Sequence, residues 1–425
     1  MSNAPPPSPP GTRPADPGAA PSLFFVARQP ILDAQRRVFG YELLYRGGPG
    51  AVACDADLDQ ASARVLTDVI REGLDVLTGG RYAFLNAPRR IVMEQLVTAL
   101  SPDGVVIELL ETIEPDAEIL EACRELRRRG YRLALDDFAW NERYRDLMAL
   151  AEFVKVDLLA TTPAERRDII ARAAPYQIRL VAEKVETDDA FREAREAGFT
   201  YFQGFFFSRP VIVESRAIPA SALRRVLLLG ALNDPSLGAG QLAGLIKRDV
   251  ALSFDLLRSI NSAAHGVRSP VHSIQEAVVL LGREPIRRWA SVCLLAGIAG
   301  SGNPEAVSMS LVRARWCELL GAHLWGGEAA AELFLCGMIS MLDAILGRSI
   351  EDIVAKLPVS PAVRDALCGF PSPWTSLLAS VAAYERGEWD AALAEAAAIH
   401  LDPALLSSTH REALRWERET EGDLR

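Results

Sequence analysis

The chain has 425 residues, which is too long for one ordinary hydrophobic core and suggests two or three domains of roughly 150 residues each. Apolar residues make up 49% of the sequence and charged residues 24%, which is typical of a folded globular protein and excludes a collagen-like or wholly disordered chain. The formal net charge of −10 argues against a protein that binds nucleic acid mainly through phosphate contacts.

The N-terminal segment differs from the rest of the chain in composition. Residues 1–22 are rich in Pro, Ala and Gly and contain no apolar run of the kind that a secretory signal requires, so we expect an unstructured tail. The longest strongly apolar stretch, around Trp289 to Gly300, is far shorter than the ~20 residues that cross a bilayer. The sequence therefore predicts no membrane span and favours a cytoplasmic location.

From Phe24 to about Pro210, short apolar runs alternate with longer segments of helical periodicity, which is typical of a β/α protein. We predict eight strands, at residues 24–31, 38–46, 82–86, 105–108, 133–137, 153–157, 179–184 and 200–206. The segments between them are predicted to be the crossover helices that parallel strands require. This alternation predicts a closed or nearly closed (β/α) barrel.

Polar side chains recur where these apolar runs end, at the rim on which a β/α barrel gathers its ligand-binding groups. The rim residues are Glu42, Asn86, Glu108, Asp136, Asp137, Lys155, Glu183 and Gln203. One such carboxylate alone is more often paired with a local arginine or used to cap the next helix. Several carboxylates buried together require a neutralising cation, and their oxygen ligands favour Mg²⁺ or Mn²⁺.

Eight short segments resemble, in order and spacing, the motifs of EAL-domain cyclic di-GMP phosphodiesterases. They are QPI at 29–31, YELLYR at 41–46, FLN at 84–86, IELLE at 107–111, LDDF at 135–138, VKVD at 154–157, AEKVET at 182–187 and FQGFF at 202–206. The resemblance implies an EAL-type, TIM-like (β/α)8 barrel whose first strand runs opposite to the others. It also implies hydrolysis of cyclic di-GMP to the linear dinucleotide with two divalent ions.

The resemblance implies roles for the rim residues as well. One ion would be held by Glu42, Asn86, Glu108 and Asp136, and the second by Asp136, Asp137 and Glu183, with Asp136 bridging. Lys155 would contact the attacking water or the charge on the phosphate. Gln203 would help to position the nucleotide, and Arg46 would face a phosphate oxygen. Lys155 also has a purely structural interpretation, as an ion-pair partner of the carboxylates.

The sequence departs from the EAL pattern at two places near the rim. The Gly-Thr-Gly loop that normally follows the Asp-Asp-Phe motif is replaced by Ala139, Trp140, Asn141 and Glu142, which adopt positive φ angles less readily than glycine. In the family this loop links dimerisation to activity. A glycine that normally follows the Glu183 position is replaced by Lys184, which could reach a phosphate or obstruct it.

After Pro210 the pattern becomes almost wholly helical, with Leu252, Leu256 and Ile260 forming one apolar stripe. The segments IKRD at 246–249, LLRSINSA at 256–263 and SIQEAVVLLG at 273–282 resemble the HDOD domain, a helical relative of the HD phosphohydrolases. None of the five histidines precedes an aspartate, so a second metal site is not expected. The resemblance implies a signalling or protein-interaction module with an unknown protein partner.

We therefore divide the chain into a tail at residues 1–22, an EAL-like barrel at 23–212 and an all-α HDOD domain at 213–425. The leading interpretation is a metal-dependent cyclic di-GMP phosphodiesterase with a helical regulatory domain. The alternatives are a barrel that binds cyclic di-GMP without turnover, as a sensor or scaffold, and an enzyme that hydrolyses another nucleotide. A homodimer stays open, and neither membrane nor direct nucleic-acid binding is expected.

Overall fold

A computed structural model of the chain describes residues 24–47, 73–204, 220–234, 236–261, 271–299 and 303–424. In the first half, eight strands follow one another around a closed barrel. They are β1 Phe24–Asp33, β2 Val38–Gly47, β3 Tyr82–Ala87, β4 Val105–Leu109, β5 Arg132–Leu135, β6 Phe153–Asp157, β7 Arg179–Glu183 and β8 Tyr201–Gln203. The predicted eight-stranded barrel is confirmed, and the strand ends differ from those predicted by a few residues.

The first strand is antiparallel to both of its neighbours, β2 and β8, whereas the pairs from β2 to β8 are parallel. Six helices lie between the described strands: α1 Leu74–Thr78, α2 Arg89–Met93, α3 Ala117–Arg128, α4 Arg145–Met148, α5 Pro163–Ala173 and α6 Asp188–Ala197. Short 3₁₀ turns occupy Leu96–Ala99, Pro102–Gly104, Glu142–Tyr144 and Ala174–Tyr176. The resemblance to the EAL barrel therefore predicted the reversed first strand correctly.

The inside of the barrel is filled by one layer of apolar side chains that is separate from the main core. Its buried members are Ile31, Phe84, Val106, Ala134, Phe153 and Val181. Because successive side chains of a strand point to opposite faces, the residue two positions further along each strand also faces the barrel axis. This places Asn86, Glu108, Asp136, Lys155 and Glu183 in a second, polar layer directly above the apolar one.

All described elements after β8 are helices, which confirms the all-α second half. They are α7 Ala220–Leu232, α8 Ala239–Ile246, α9 Val250–Ile260, α10 Ile274–Leu281, α11 Arg283–Ala299, α12 Pro304–Trp325, α13 Gly327–Ile339, α14 Leu342–Leu346, α15 Ile350–Val354, α16 Pro361–Leu367, α17 Pro373–Glu385, α18 Trp389–Ala398 and α19 Pro403–Leu424. The predicted stripe of Leu252, Leu256 and Ile260 is buried on α9.

The most membrane-like segment of the described chain is not the one that the sequence suggested. Residues 329–346 have a mean hydropathy of 1.8 and pass a test of length and composition for a membrane span. More than half of this segment is buried inside the helical half, where α13 and α14 lie. A buried helix of a globular core has the same composition, so the segment is weak evidence for a membrane span.

The helical half packs on the β1–β2 hairpin of the barrel. Phe25 of β1 stacks on Trp389 and meets the ring of Tyr384 edge-on, with ring centroids 6.0 and 5.9 Å apart. The Tyr384 hydroxyl accepts a hydrogen bond from the Val26 amide at 3.2 Å and donates one to the Val26 carbonyl at 3.3 Å. Because two antiparallel strands are joined without a crossover helix, this hairpin relies on the second half for cover.

Two polar contacts fix the same interface further along the hairpin. The Tyr41 hydroxyl of β2 donates a hydrogen bond of 3.1 Å to Glu305, in the first turn of α12. Arg28 of β1 donates to Ser308 at 3.4 Å, and the Ser308 hydroxyl donates to Glu417 of α19 at 2.6 Å. Tyr41 immediately precedes Glu42, so one strand segment carries both an interface residue and a rim residue.

Several predictions fall on residues outside the described chain. The proposed tail at residues 1–22 and the boundary between residues 212 and 213 are among them. These assignments stay predictions.

Candidate functional site

The polar layer of the barrel is organised around the ammonium group of Lys155. Its Nζ atom donates a hydrogen bond of 2.9 Å to Glu42. The same atom lies 2.8 Å from Glu108, 2.8 Å from Asp136 and 2.7 Å from Glu183. The Lys155 side chain is only 1% exposed. Five charged groups, four from β2, β4, β6 and β7 and one from the residue after β5, therefore meet in a nearly dry site, which we call the Lys155 cluster.

Amide side chains support Glu42 from both sides. Asn86 donates a hydrogen bond of 3.2 Å to one oxygen of Glu42, and Gln203 donates one of 2.6 Å to the other. Gln203 also donates to Gln29 of β1 at 2.9 Å. Both amide protons of Gln203 are thus used, so this residue can offer an incoming ligand an acceptor and no donor.

The Lys155 cluster has more acceptors than its donors can satisfy. An ammonium group carries three protons, and four carboxylates surround it. The second oxygen of Glu108, Asn86 Oδ1 and Gln203 Oε1 are buried without a hydrogen-bond donor. Such unpaired oxygens are costly in a dry interior, and a bound cation would satisfy them.

Burial and mutual repulsion shift the pKa values of the acidic groups in the cluster. Burial, reinforced by the charge of Glu42, raises the pKa of Glu108 well above its usual value. Burial also raises the pKa of Asp136, and that of Glu183 to about 8. Three of the four acids therefore retain protons more strongly than acids in water do.

For Glu42 and Lys155, the charges of neighbouring groups outweigh the effect of burial on the pKa. Burial alone would raise the pKa of Glu42, but the charge of Lys155 and the hydrogen bonds from Gln203 and Asn86 outweigh it and lower the pKa. Burial alone would likewise lower the pKa of Lys155, but the surrounding carboxylates raise it well above the usual value. Lys155 therefore remains a cation at neutral pH.

Two residues directly after cluster members adopt left-handed backbone conformations, Asp137 with φ 43° and Lys184 with φ 52°. This conformation costs a non-glycine residue about 1 kcal/mol, which explains why the EAL pattern has glycine where this chain has Lys184. The Lys184 side chain is 55% exposed and forms an ion pair with Asp157. Lys184 therefore pairs with the acid at the end of β6 and is not among the groups that contact Lys155.

Gly204 allows the last strand to close against the segment after β7. Its φ is 145°, and a Cβ atom at this position would lie 2.2 Å from the Val185 carbonyl oxygen. The Val185 amide donates a hydrogen bond of 3.0 Å to the carbonyl of Gln203. A side chain at position 204 would separate these segments and displace Gln203 from Glu42.

The loop after Phe138 is held by aromatic contacts. Ala139, Trp140, Asn141 and Glu142 all have negative φ angles, so the loop does not require the glycines of the EAL pattern. Trp140 meets Phe138 edge-on, with centroids 6.3 Å apart, and the guanidinium of Arg172 lies 4.5 Å above the Trp140 ring. The loop borders a cavity of about 320 Å³ beside Asp136 and Asp137.

The structure brings most of the predicted site residues together. The residues that meet at the rim are Glu42, Asn86, Glu108, Asp136, Lys155, Glu183 and Gln203. Asp137 follows Asp136, and its side chain is exposed. The backbone of Arg46 belongs to β2, but its side chain lies outside the described part of the chain.

Sequence reasoning missed two polar residues at the rim. Gln29 lies in the QPI segment but was not assigned to the rim, because the predicted rim residues follow the ends of strands, whereas β1 is reversed and directs its N-terminal part towards the rim. Asp157, at the end of β6, accepts hydrogen bonds from the amides of Leu159 and Ala160 at 2.7 and 3.0 Å. Its position two residues after Lys155 was the available signal.

The donor atoms of the cluster suit a hard divalent cation, because all are carboxylate or amide oxygens. In the structure the carboxylates turn towards Lys155. Within the described residues, no three acidic, histidine or cysteine side chains are grouped as a metal site would require. Metal binding at this rim would therefore require the carboxylates to share their oxygens between Lys155 and the ion.

Comparison with known proteins gives matches to both halves. An EAL domain model matches residues 85–210, and an HDOD domain model matches residues 218–352. The chain is 33% identical over 402 residues to Cyclic di-GMP phosphodiesterase CdgJ of Vibrio cholerae, covering 93% of this chain and 92% of that protein. It is 34% identical over 401 residues to the Uncharacterized protein YuxH of Bacillus subtilis, covering 92% and 97%.

A solved EAL domain protein from Listeria monocytogenes is 23% identical, with a TM-score of 0.35, and covers 44% of this chain and 88% of that one. The matches to both domain models and to CdgJ over nearly the full length place this chain in a defined class of two-domain proteins. The chain belongs to the EAL–HDOD family, of which CdgJ is a member.

Replacing Lys155 with methionine would test the charge balance of the cluster. The free energy of unfolding of Lys155→Met should fall by about 3–5 kcal/mol in EDTA at pH 8, because four buried carboxylates lose their cation. The loss should be smaller at pH 5, where carboxyls with raised pKa values are protonated. Urea unfolding measures both values.

Lys184→Met is the matched control, since Lys184 is an ion-paired rim lysine that is largely exposed. The free energy of unfolding of Lys184→Met should fall by less than about 1 kcal/mol. Equal stabilities of the two variants at pH 8 would show that Lys155 does not hold the cluster together.

Proposed function

We propose that the chain hydrolyses cyclic di-GMP to the linear dinucleotide, with the barrel rim as its active site. The observation that carries the proposal is the convergence of Glu42, Glu108, Asp136 and Glu183 on one buried point. Nearly the whole chain aligns with a relative named as a cyclic di-GMP phosphodiesterase, which supports this substrate.

We propose that the rim binds two divalent ions, Mg²⁺ or Mn²⁺, through its oxygen donors. Glu42, Asn86, Glu108 and Asp136 would hold one of them, and Asp136, Asp137 and Glu183 would hold the other. When bound, such ions activate a water molecule and stabilise negative charge on the phosphate. Asn86 and Glu108 each carry a buried oxygen with no hydrogen-bond donor, which supports their part in this set.

Lys155 would act as a fixed positive charge. The surrounding carboxylates raise the pKa of Lys155, which favours an ammonium ion over a general base at neutral pH. An ammonium at the centre of the rim can donate hydrogen bonds to the attacking water or to a phosphate oxygen. Lys155 would thus offset the charge that develops as the phosphodiester bond is cleaved.

Gln203 and Arg46 would position the substrate. The Gln203 acceptor, Oε1, has no donor and could receive a hydrogen bond from a guanine N–H group. Through its amide protons Gln203 also fixes Glu42, so a change at this residue would disturb both substrate and metal binding. Arg46 follows Glu42 by four residues in β2 and would face a phosphate oxygen.

The helical half would regulate the rim through the β1–β2 hairpin. Gln29 and Glu42, which are paired in register, contact the site, while their neighbours Arg28 and Tyr41 contact the helical half. A shift of α12 relative to the barrel would therefore move the strand segment that carries Glu42.

We also propose that the helical half binds a protein partner and that the protein is located in the cytoplasm. Whether the chain forms a homodimer stays open.

Activity is tested with purified protein, cyclic di-GMP and Mg²⁺ or Mn²⁺, following the linear dinucleotide by chromatography. Asp136→Asn and Glu108→Gln should each lower kcat by about 100-fold or more, because they remove ligands for the ions. Glu196→Gln should retain activity, since Glu196 is exposed near the end of α6 and contacts none of the rim residues. Correctly folded wild-type protein should give product.

The other outcomes of this assay identify the alternatives. Tight binding of cyclic di-GMP without product would contradict an enzyme and indicate a sensor. Faster cleavage of another cyclic or linear nucleotide would assign a different substrate. If the protein neither binds nor cleaves cyclic di-GMP, the remaining interpretation is a protein scaffold.

The proposed regulation predicts that Tyr41→Phe changes turnover although Tyr41 does not contact the cluster. Loss of the hydrogen bond to Glu305 should lower stability by about 1 kcal/mol and change kcat by about threefold. Tyr131→Phe is the control, because its hydroxyl donates to the Leu100 carbonyl within the barrel. If Tyr41→Phe and Tyr131→Phe have the kcat of the wild type, the hairpin does not transmit a signal.

A further inference from the structure

A cleft of about 680 Å³ lies in the helical half, between α7, α8, α11, α12 and α13. Most of its charged lining comes from α11 and α12, and arginine predominates. We call this cleft the arginine cleft. Its charged groups on α11 and α12 are Arg283, Glu284, Arg287, Arg288, Arg315 and Glu318. The cleft is distinct from the barrel rim and lies within the HDOD match.

Positive charge exceeds negative charge in the arginine cleft. Glu284 accepts a hydrogen bond from Arg287 at 2.8 Å, and Glu318 accepts from Arg288 and Arg315, each at 2.8 Å. A further carboxylate at the edge, Asp234, accepts its hydrogen bonds from Ser236. Four guanidinium groups of the lining thus face three carboxylates, in a chain whose net charge is −10.

The positive charge of the neighbouring arginines affects the pKa of Glu284. Burial alone would raise the pKa of this carboxyl, but Arg287, Arg283 and Arg288 outweigh it and hold the pKa below its usual value. Guanidinium groups present paired donors that match the oxygens of phosphate. The arrangement therefore favours an oxyanion.

Arg315 retains a donor that the protein does not satisfy. Its Nη1 atom donates to Glu318 and its Nη2 atom to Glu412 of α19, at 2.8 and 3.0 Å. Its Nε atom is buried and has no acceptor within the described chain. Because a buried N–H without an acceptor is unfavourable, an oxyanion in the cleft would relieve it.

The remaining lining of the cleft is apolar. Leu232, Leu237 and Leu242 form one wall, and Leu319 and Ala330 lie on the opposite helices. The volume suits a small molecule, since ligand cavities commonly measure about 300–1,000 Å³. Apolar walls beside a cluster of guanidinium groups suit a molecule with an apolar or aromatic body and an anionic end.

We propose that the arginine cleft binds a small organic phosphate, with the phosphate against Arg288 and Arg315 and the rest of the molecule against the leucine wall. A nucleoside diphosphate has this chemistry. The helical half would then be a receptor for a phosphorylated metabolite, in addition to its contact with the barrel. This inference stands independently of cyclic di-GMP hydrolysis.

The test is isothermal titration calorimetry of the full chain in EDTA, which prevents metal-dependent nucleotide binding at the rim. The probes are ADP, GDP, inorganic pyrophosphate and adenosine. ADP or GDP should bind, pyrophosphate should bind more weakly, and adenosine should not bind. Raising the salt concentration should weaken binding, because charge contributes to it.

Variants locate the binding site. Arg288→Gln should weaken ADP or GDP binding about tenfold or more, and Ala322→Phe should do the same by narrowing the cleft. Ala322 lines the cleft but is exposed, so its replacement leaves the arginines and the fold intact. Arg364→Gln, at an exposed arginine of α16 outside the cleft, is the matched control and should bind as the wild type does.

Two results would overturn the proposal. One is the absence of binding by ADP, GDP and pyrophosphate at millimolar concentration. The other is binding that Arg288→Gln and Ala322→Phe leave unchanged, which would place the nucleotide elsewhere, such as at the barrel rim. Neither result depends on whether cyclic di-GMP is cleaved.

Discussion

The structure depends on a single buried ammonium group that four carboxylates share. Without Lys155, the inward-facing acids of β2, β4, β5 and β7 would repel one another in a site with little water. Even with it, the cluster has more negative than positive charge, and the raised pKa values of Glu108, Asp136 and Glu183 are the consequence. The site is therefore prepared for additional positive charge.

The reversed first strand determines how the two halves of the molecule meet. Since β1 and β2 form an antiparallel hairpin, no crossover helix covers them, and α17, α18, α12 and α19 supply the cover. The hairpin therefore contributes Gln29 and Glu42 to the rim and Arg28 and Tyr41 to the interface. Through this shared hairpin, the helical half supports the Lys155 cluster.

Much of the fold and the rim could be predicted from sequence, because both depend on local periodicity. Alternation along strands places Lys155 two residues above Phe153 and Glu108 two above Val106, whatever the rest of the chain does. Only the EAL resemblance predicted the reversed direction of β1. Without that direction, no sequence pattern assigns Gln29 to the rim. The roles of the rim residues in metal binding, substrate binding and catalysis remain predictions.

Features that depend on contacts between distant parts of the chain could not be predicted from the sequence. The hydrogen bond between Tyr41 and Glu305 joins residues 264 positions apart, and no local pattern reports it. The arginine cleft is assembled from five helices, and no local sequence pattern shows that they meet. The sequence shows that Lys184 replaces a glycine, but only the structure shows its left-handed backbone and its ion pair with Asp157.

The central claim is that the carboxylate oxygens around Lys155 bind divalent ions. Crystals grown with Mn²⁺ and measured at the manganese absorption edge test it most directly. The account predicts anomalous peaks in contact with Glu42, Glu108, Asp136 and Glu183, while Lys155 gives up part of its contacts. A fully manganese-saturated crystal with no peak at the rim, and with Lys155 still bound by all four carboxylates, would contradict it.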